Sequence, residues 1–264
     1  MKGHMSTLIM SSALLLLCVQ IPIIIVEQIT GLWSTMDAAV SEYFEMYSDL
    51  NYNALYEIAE TYSGRLGFSF ATFLFVLLIP GPLTLGLSNV WLSVLRGKEA
   101  YADMIFTGFG NFTRIVSMDT FRRILILLWS VLLVVPGIMA YYRYNLAFFL
   151  IADNPEMRSF EAVASSKYYM QQNKNTRFLL DLSFIGWFAL SALIFFMIDN
   201  GIFAVIIVAG YEVTFFTQLL VMALIGSVIF APVIAYRGVA AAEFYHRVIC
   251  RDPKSFSGPQ LTNS

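Results

Sequence analysis

Residues 124–153 read ILILLWSVLLVVPGIMAYYRYNLAFFLIAD, thirty positions in which Arg143 is the only charge before Asp153. As one helix this stretch crosses a bilayer once, kinked at Pro136. As two helices turning near Pro136-Gly137 it crosses and returns. The choice fixes which side of the membrane every later segment faces. The flanking charges favour the hairpin: Arg96, Lys98, Arg114, Arg122 and Arg123 precede it, and Arg158, Lys167, Lys174 and Arg177 follow it. Short loops rich in Lys and Arg face the cytoplasm, and a hairpin lets both do so. As helices, 124–136 and 137–152 are only about 20 and 24 Å long, short of the roughly 30 Å hydrocarbon core. The first arm is therefore expected to begin near Phe121 and the second to be partly re-entrant.

Working outward, 58% apolar residues, 13% charged residues and a mean hydropathy of +0.70 exclude an ordinary soluble domain. A net charge of −2 leaves no basic footprint for nucleic acid. Cys18 and Cys250 are too few and too far apart for a disulfide framework. The expected fold is an all-α, polytopic transmembrane helix bundle, one membrane domain over 1–250. About six helical segments are expected, near 8–26, 66–95, 121–136, 137–152, 178–198 and 213–245. The first run lacks a small-x-small cleavage site and reads as an uncleaved helix. Residues 27–65 carry seven acids against Arg65 alone, which places them outside, with Val40, Tyr43, Phe44, Tyr47, Leu55, Ile58 and Tyr62 at helical spacing. The stretch Tyr101 to Phe112 reads as an interfacial segment. Residues 251–264 read as a disordered cytoplasmic tail, so both termini are expected in the cytoplasm of a cell membrane.

Proline and glycine break the apolar runs at Pro80-Gly81-Pro82, at Pro136-Gly137 and at Pro232. The first two breaks stand 15 or 16 residues before Arg96 and Asp153, and Pro232 stands fifteen before Arg247. That spacing suggests three repeated helical hairpins. Pro and Gly are also common in unrelated membrane helices, so separate kinks fit the same spacing.

Leu128-Trp129, Pro136-Gly137-Ile138, Tyr144, Phe149, Ile151-Ala152-Asp153-Asn154-Pro155, Ser166-Lys167, Met170 and Leu182 to Trp187 together carry a family signature. With Met104 to Phe109 upstream and Pro232, Tyr236, Ala242 and Glu243-Phe244-Tyr245 downstream, the chain over roughly 66–250 resembles a bacterial, mostly Gram-positive, family of multi-pass membrane proteins catalogued as a domain of unknown function (DUF975). It departs at Gln171-Gln172-Asn173, where that family usually has a glycine, and in its developed acidic segment 27–65. The resemblance implies a six-helix membrane domain with cytoplasmic ends and no assigned activity. A looser similarity links it to the membrane region attached to some glycerophosphodiester phosphodiesterases, whose soluble catalytic domain has no counterpart here.

Two arginines fall at membrane depth. Arg143, flanked by Tyr141, Tyr142 and Tyr144, needs a partner or water, since a charge at bilayer centre costs about 2.5–3.5 kcal/mol on insertion scales. Asp181 is the acidic candidate, with Arg177 one turn away as its competitor. Arg237 lies five residues past Pro232 and reads more simply as a snorkelling cation. Arg143, Asp181, Tyr144 and Arg237 thus form a candidate intramembrane polar site. Its functional reading is a path or pocket for an anionic or zwitterionic ligand; its bland reading is an ion pair that fixes helix packing. His4 and His246 lie at opposite ends, and no metal cluster, nucleophile elbow or phosphate loop appears. No enzyme activity, cofactor or metal is expected. Two functions remain: a non-catalytic membrane component binding a lipid, an envelope molecule or a membrane-protein partner, or a small transporter with a polar pathway near Arg143 and Asp181.

Overall fold

The computed structural model describes residues 4–30, 66–208 and 215–250. The helices expected within 31–65 and the tail at 251–264 lie outside the described residues. Among the described residues the order is α1 (Met5–Thr30), α2 (Leu66–Leu78), α3 (Pro80–Leu95), a 3-10 helix (Ala102–Asn111), α4 (Phe112–Leu132), α5 (Val134–Arg143), α6 (Ala147–Asp153), α7 (Ser159–Tyr169), α8 (Lys174–Ser183), α9 (Ile185–Val208) and α10 (Phe215–Cys250). Five stretches are long and apolar enough to cross a membrane: Met5–Val26, Thr72–Leu95, Val134–Asp153, Lys174–Gly201 and Thr217–Ile249. The protein is an all-α membrane bundle. The sixth expected segment, 121–136, is the upper part of α4, whose Asp119, Arg122 and Arg123 keep it off that count.

The hairpin forms, with its turn at Leu133 rather than at Pro136-Gly137. Leu133 is extended (φ −163°, ψ 149°) between α4 and α5. Pro136 sits in the first turn of α5, where a missing N–H loses nothing. Gly137 lets the arms touch: a Cβ there would stand 2.9 Å from Ser130 Cα. The arms are 21 residues (Phe112–Leu132) and 20 residues (Val134–Asp153), each about 30 Å of helix. The expected shortfall disappears because α4 starts nine residues before Phe121. Its base is covered by protein, since Ile115 and Met118 are buried against Ala147, Ile151, Ala162 and Val163 of α6 and α7.

The three proline sites do three different things, which favours separate kinks over a repeat. Pro80 opens α3 after a break at Ile79, Pro136 opens α5 after a turn, and Pro232 lies inside the continuous α10. The Tyr101–Phe112 stretch is likewise more than interfacial, because the 3-10 helix folds back along α3. Added Cβ atoms would stand 1.9 Å from the Ile105 carbonyl oxygen at Gly86 and 2.0 Å from the Pro82 carbonyl oxygen at Gly108. Two glycines thus allow backbone-to-backbone contact, and Asn89 Nδ2 donates to Thr107 Oγ1 at 2.9 Å. Phe106 and Phe109 remain on the outer side.

One end of the bundle gathers the start of α1 with the ends of α3, α6 and α10. Leu8 packs among Val90, Val94, Ala100, Ala235 and Val239. Close by in sequence, Arg96 binds Asp153 (2.6 and 2.7 Å), and the Tyr245 hydroxyl donates to the same carboxylate at 2.9 Å. That carboxylate holds the Arg96 guanidinium above its ordinary pKa, chiefly through the hydrogen bond. The α5–α6 junction is closed by Ser166 of α7, whose hydroxyl donates to the Arg143 carbonyl (3.0 Å) and accepts from the Leu146 N–H (3.1 Å). Buried backbone groups left over at a helix junction are thereby satisfied.

Candidate functional site: a cationic cavity inside the bundle

Inward from the Arg96–Asp153–Tyr245 cluster lies a cavity of about 180 Å³. Its walls come from α3 (Thr84, Ser88, Trp91), α4 (Arg122), α5 to α6 (Tyr141, Asn145, Phe148, Phe149), α8 (Arg177) and α10 (Ile234, Arg237, Gly238, Ala241). Ser88 and Arg237 each stand eight residues, about 12 Å of helix, before Arg96 and Tyr245. The cavity is therefore well inside the apolar spans.

Each arginine is held by chemistry that its own helix or a neighbouring one carries. On α8, Arg177 and Asp181 are one turn apart, with Arg177 Nη2 3.5 Å from Asp181 Oδ1. Arg177 Nε donates to Asn145 Oδ1 at 3.3 Å, and its guanidinium lies over the Phe244 ring at 5.8 Å. Its side chain is only 3% exposed. From α10, Arg237 binds Asp181 through Nε (2.8 Å) and Nη2 (3.2 Å). On α4, Asp119 is shared by Arg122 (2.6 Å) and Arg123 (2.7 Å), with its side chain 1% exposed. Arg122 also faces the Phe148 ring at 5.0 Å. Four guanidiniums thus share two carboxylates, and no carboxylate lines the wall. Three of the four, Arg122, Arg177 and Arg237, line the wall, which gives the cavity a cationic character.

Two hydroxyls of the wall point their protons into their own helix: Thr84 donates to the Pro80 carbonyl (2.6 Å) and Ser88 to the Thr84 carbonyl (2.9 Å). Two wall residues also carry a donor that is buried without an acceptor, Trp91 at Nε1 and Arg177 at Nη1. The indole can lie there because position 238 is glycine; a Cβ would stand 1.9 Å from Trp91 Cε2. Tyr141 is the exposed wall residue; Ile138 beside it on α5 and Phe178 and Leu182 on α8 are exposed too, with the Phe178 ring 5.7 Å from that of the neighbouring Tyr142.

Of the residues singled out from sequence, Asp181 and Arg237 come together and Arg237 lines the cavity. Arg237 is held by a carboxylate, where sequence suggested simple snorkelling. Arg143 is not Asp181's partner; it lies over the Trp129 ring at 5.8 Å, within the hairpin. Tyr144 is buried among Leu85, Ala140, Ala147 and Phe148. Pro80 and Pro82 stand above the wall residue Thr84, and Pro136 and Gly137 shape the hairpin turn. Sequence reading missed Trp91, Arg122 and Asn145 as wall residues and took Arg177 only as a competitor. The i, i+3 and i, i+4 spacing of Asp119, Arg122 and Arg123 was the available signal.

These features define a multi-pass helical membrane protein with an internal cationic cavity. Residues 131–252 match the family model described as "Protein of unknown function (DUF975)", which bears out the resemblance over the hairpin's second arm through α10. The matched part supplies Tyr141, Asn145, Arg177, Asp181 and Arg237, while Trp91 and Arg122 come from outside it. No curated protein and no solved structure matches the chain.

Proposed function

We propose that this protein is a non-catalytic component of a cell membrane that binds a lipid in the cavity between α3, α5, α8 and α10, with both termini in the cytoplasm. The observation that carries the proposal is the cationic cavity at membrane depth whose exposed wall residue, Tyr141, adjoins exposed apolar side chains. An amphiphile satisfies both halves at once: its head meets the arginines and its chains follow the apolar face. That favours a lipid over a water-soluble envelope molecule or a protein partner. The walls offer donors and cations, the groups of a receptor, and both nearby carboxylates are taken up by arginines. With Arg122, Arg123 and Arg177 set aside at the cavity, ten of the sixteen Lys and Arg fall in segments assigned to the cytoplasm and only Arg65 in one assigned to the outside, which supports the orientation. Native mass spectrometry of the full chain extracted from membranes tests the reading. A retained lipid is expected, and Ser88→Leu, which fills the cavity, should release it; retention unchanged by filling would overturn it.

The transporter reading is favoured by a different observation. The break between α2 and α3 is linked to the wall through Arg123, Asp119 and Arg122, so movement at the break would reach the cavity. That reading expects uptake of a labelled anion into proteoliposomes, abolished by Arg122→Gln. Absence of uptake for all small anions tried would set it aside.

A further inference from the structure

On the reading that the cavity holds a lipid, its walls carry chemical information about the head group. Two buried donors, Trp91 Nε1 on α3 and Arg177 Nη1 on α8, have no acceptor within the protein. A buried donor left without a partner is unfavourable, and natural folds rarely leave two in one cavity without an external acceptor. These donors approach from different helices, with the positive charges of Arg122 and Arg237 on further walls. A planar carboxylate offers two oxygens in one plane. A phosphomonoester offers three terminal oxygens pointing apart and close to two negative charges, matching both the spread of donors and the three guanidiniums, with no carboxylate, on the wall. At about 180 Å³ the cavity has the liquid volume of about six waters. That is room for a phosphoryl group and its ester carbons, and acyl chains would have to leave past Tyr141.

We infer, resting on the lipid reading, that the cavity takes a phosphomonoester head group, its terminal oxygens accepting from Trp91 Nε1 and Arg177 Nη1, with Arg122 and Arg237 balancing the charge. Arg177 is nearly fully buried and its Nε and Nη2 are already committed to Asn145 and Asp181, so Nη1 is its free edge. The indole adds a donor that cannot itself accept, which selects for an oxygen acceptor at that point.

The test uses the purified full chain in detergent and measures affinity for four probes: dioctanoyl phosphatidate, dioctanoyl phosphatidylglycerol, dioctanoylglycerol and inorganic phosphate. The phosphatidate is expected to bind at least about tenfold more tightly than the diacylglycerol, and more tightly than the phosphodiester. Trp91→Phe preserves an aromatic ring and removes the N–H; it should weaken phosphatidate about tenfold and leave dioctanoylglycerol unchanged. Arg177→Gln should do the same, and the Trp91 variant keeps the test decisive if the Arg177 variant does not fold. Equal binding of phosphatidate and diacylglycerol would overturn the phosphate assignment while leaving the lipid reading in place, and so would a phosphatidate affinity indifferent to Trp91→Phe. Inorganic phosphate binding as tightly as phosphatidate would keep the chemistry and overturn the lipid. Binding of no probe would overturn both.

Discussion

Arg123 Nη1 donates to the Val76 carbonyl at 3.0 Å, the carbonyl that Pro80, four residues on, has no N–H to satisfy. A proline break in lipid leaves an acceptor that water cannot reach, and here a side chain from the neighbouring helix supplies the donor. Asp119 fixes that side chain at 2.7 Å and also holds Arg122 in the cavity wall. Gly81 makes room for the carboxylate, since a Cβ there would stand 3.0 Å from Asp119 Oδ2.

The relationship predicts coupling between two residues that do not resemble a pair. Arg123→Ala should destabilise by about 1–3 kcal/mol, the cost of an acceptor left without a donor in an apolar span. Pro80→Ala returns the N–H to the helix, so the same Arg123→Ala in that background should cost distinctly less. A double-mutant cycle on thermal unfolding in detergent reads the difference. Additive effects would mean that the carbonyl does not need Arg123.

Glycine positions should separate sharply by what they touch. Gly86→Ala and Gly108→Ala place a methyl against backbone oxygens 1.9 and 2.0 Å away, which rotamer changes cannot relieve. Each should destabilise by about 1–3 kcal/mol or more as overpacking. Gly110→Ala meets nothing within 4 Å and should be close to neutral. Comparable folded yields and melting temperatures for all three would refute the close contact between the 3-10 helix and α3.

The hairpin makes a prediction about sidedness. Lys98 follows α3 and Glu156 follows α6, both exposed near the Arg96–Asp153 pair. Single cysteines at these positions, in a chain lacking Cys18 and Cys250, should react with an impermeant reagent from the same side of the membrane, expected to be the cytoplasmic one. Labelling from opposite sides would restore a single kinked crossing over 124–152.

Much of the fold was legible in the sequence, and the reasons differ by feature. The apolar runs mark the spans because a bilayer demands length and low charge, as α1, α3 and α10 illustrate. The break at Pro80 was readable because proline's lost N–H is a local fact. The turn at Leu133 was displaced from Pro136-Gly137 because proline suits the first turn of a helix as well as the turn before it. The cavity was illegible for a different reason. Arg122 and Arg177 read as loop cations, since nothing local announces that α4 begins at Phe112 or that α8 begins at Lys174. Pairing Asp181 with Arg237 spans 56 residues, and only the packing of α8 against α10 selects it over Arg143. Gly86 and Gly108 mean little singly; their role appears once α3 and the 3-10 helix are laid together.

The deep arginines should part company under mutation. Arg237→Gln leaves Asp181, with a mostly buried side chain, only the more distant Arg177 as a cation beside the Tyr142 hydroxyl, and removing one member of a buried pair is expected to cost about 3–5 kcal/mol. Combining it with Asp181→Asn neutralises the stranded carboxylate, so the double variant should recover much of the melting temperature. Its affinity for dioctanoyl phosphatidate should nonetheless stay low, because the wall has lost a cation whose role at the cavity is separate from its role in packing. Arg143→Gln, removing a cation over the Trp129 ring outside the cavity, should change stability by about 0.5–1 kcal/mol and leave that affinity untouched. Unfolding in detergent and lipid titration on the same three preparations separate the two roles. If Arg143→Gln lowered the affinity and the double variant did not, the site would belong at the hairpin rather than between α8 and α10.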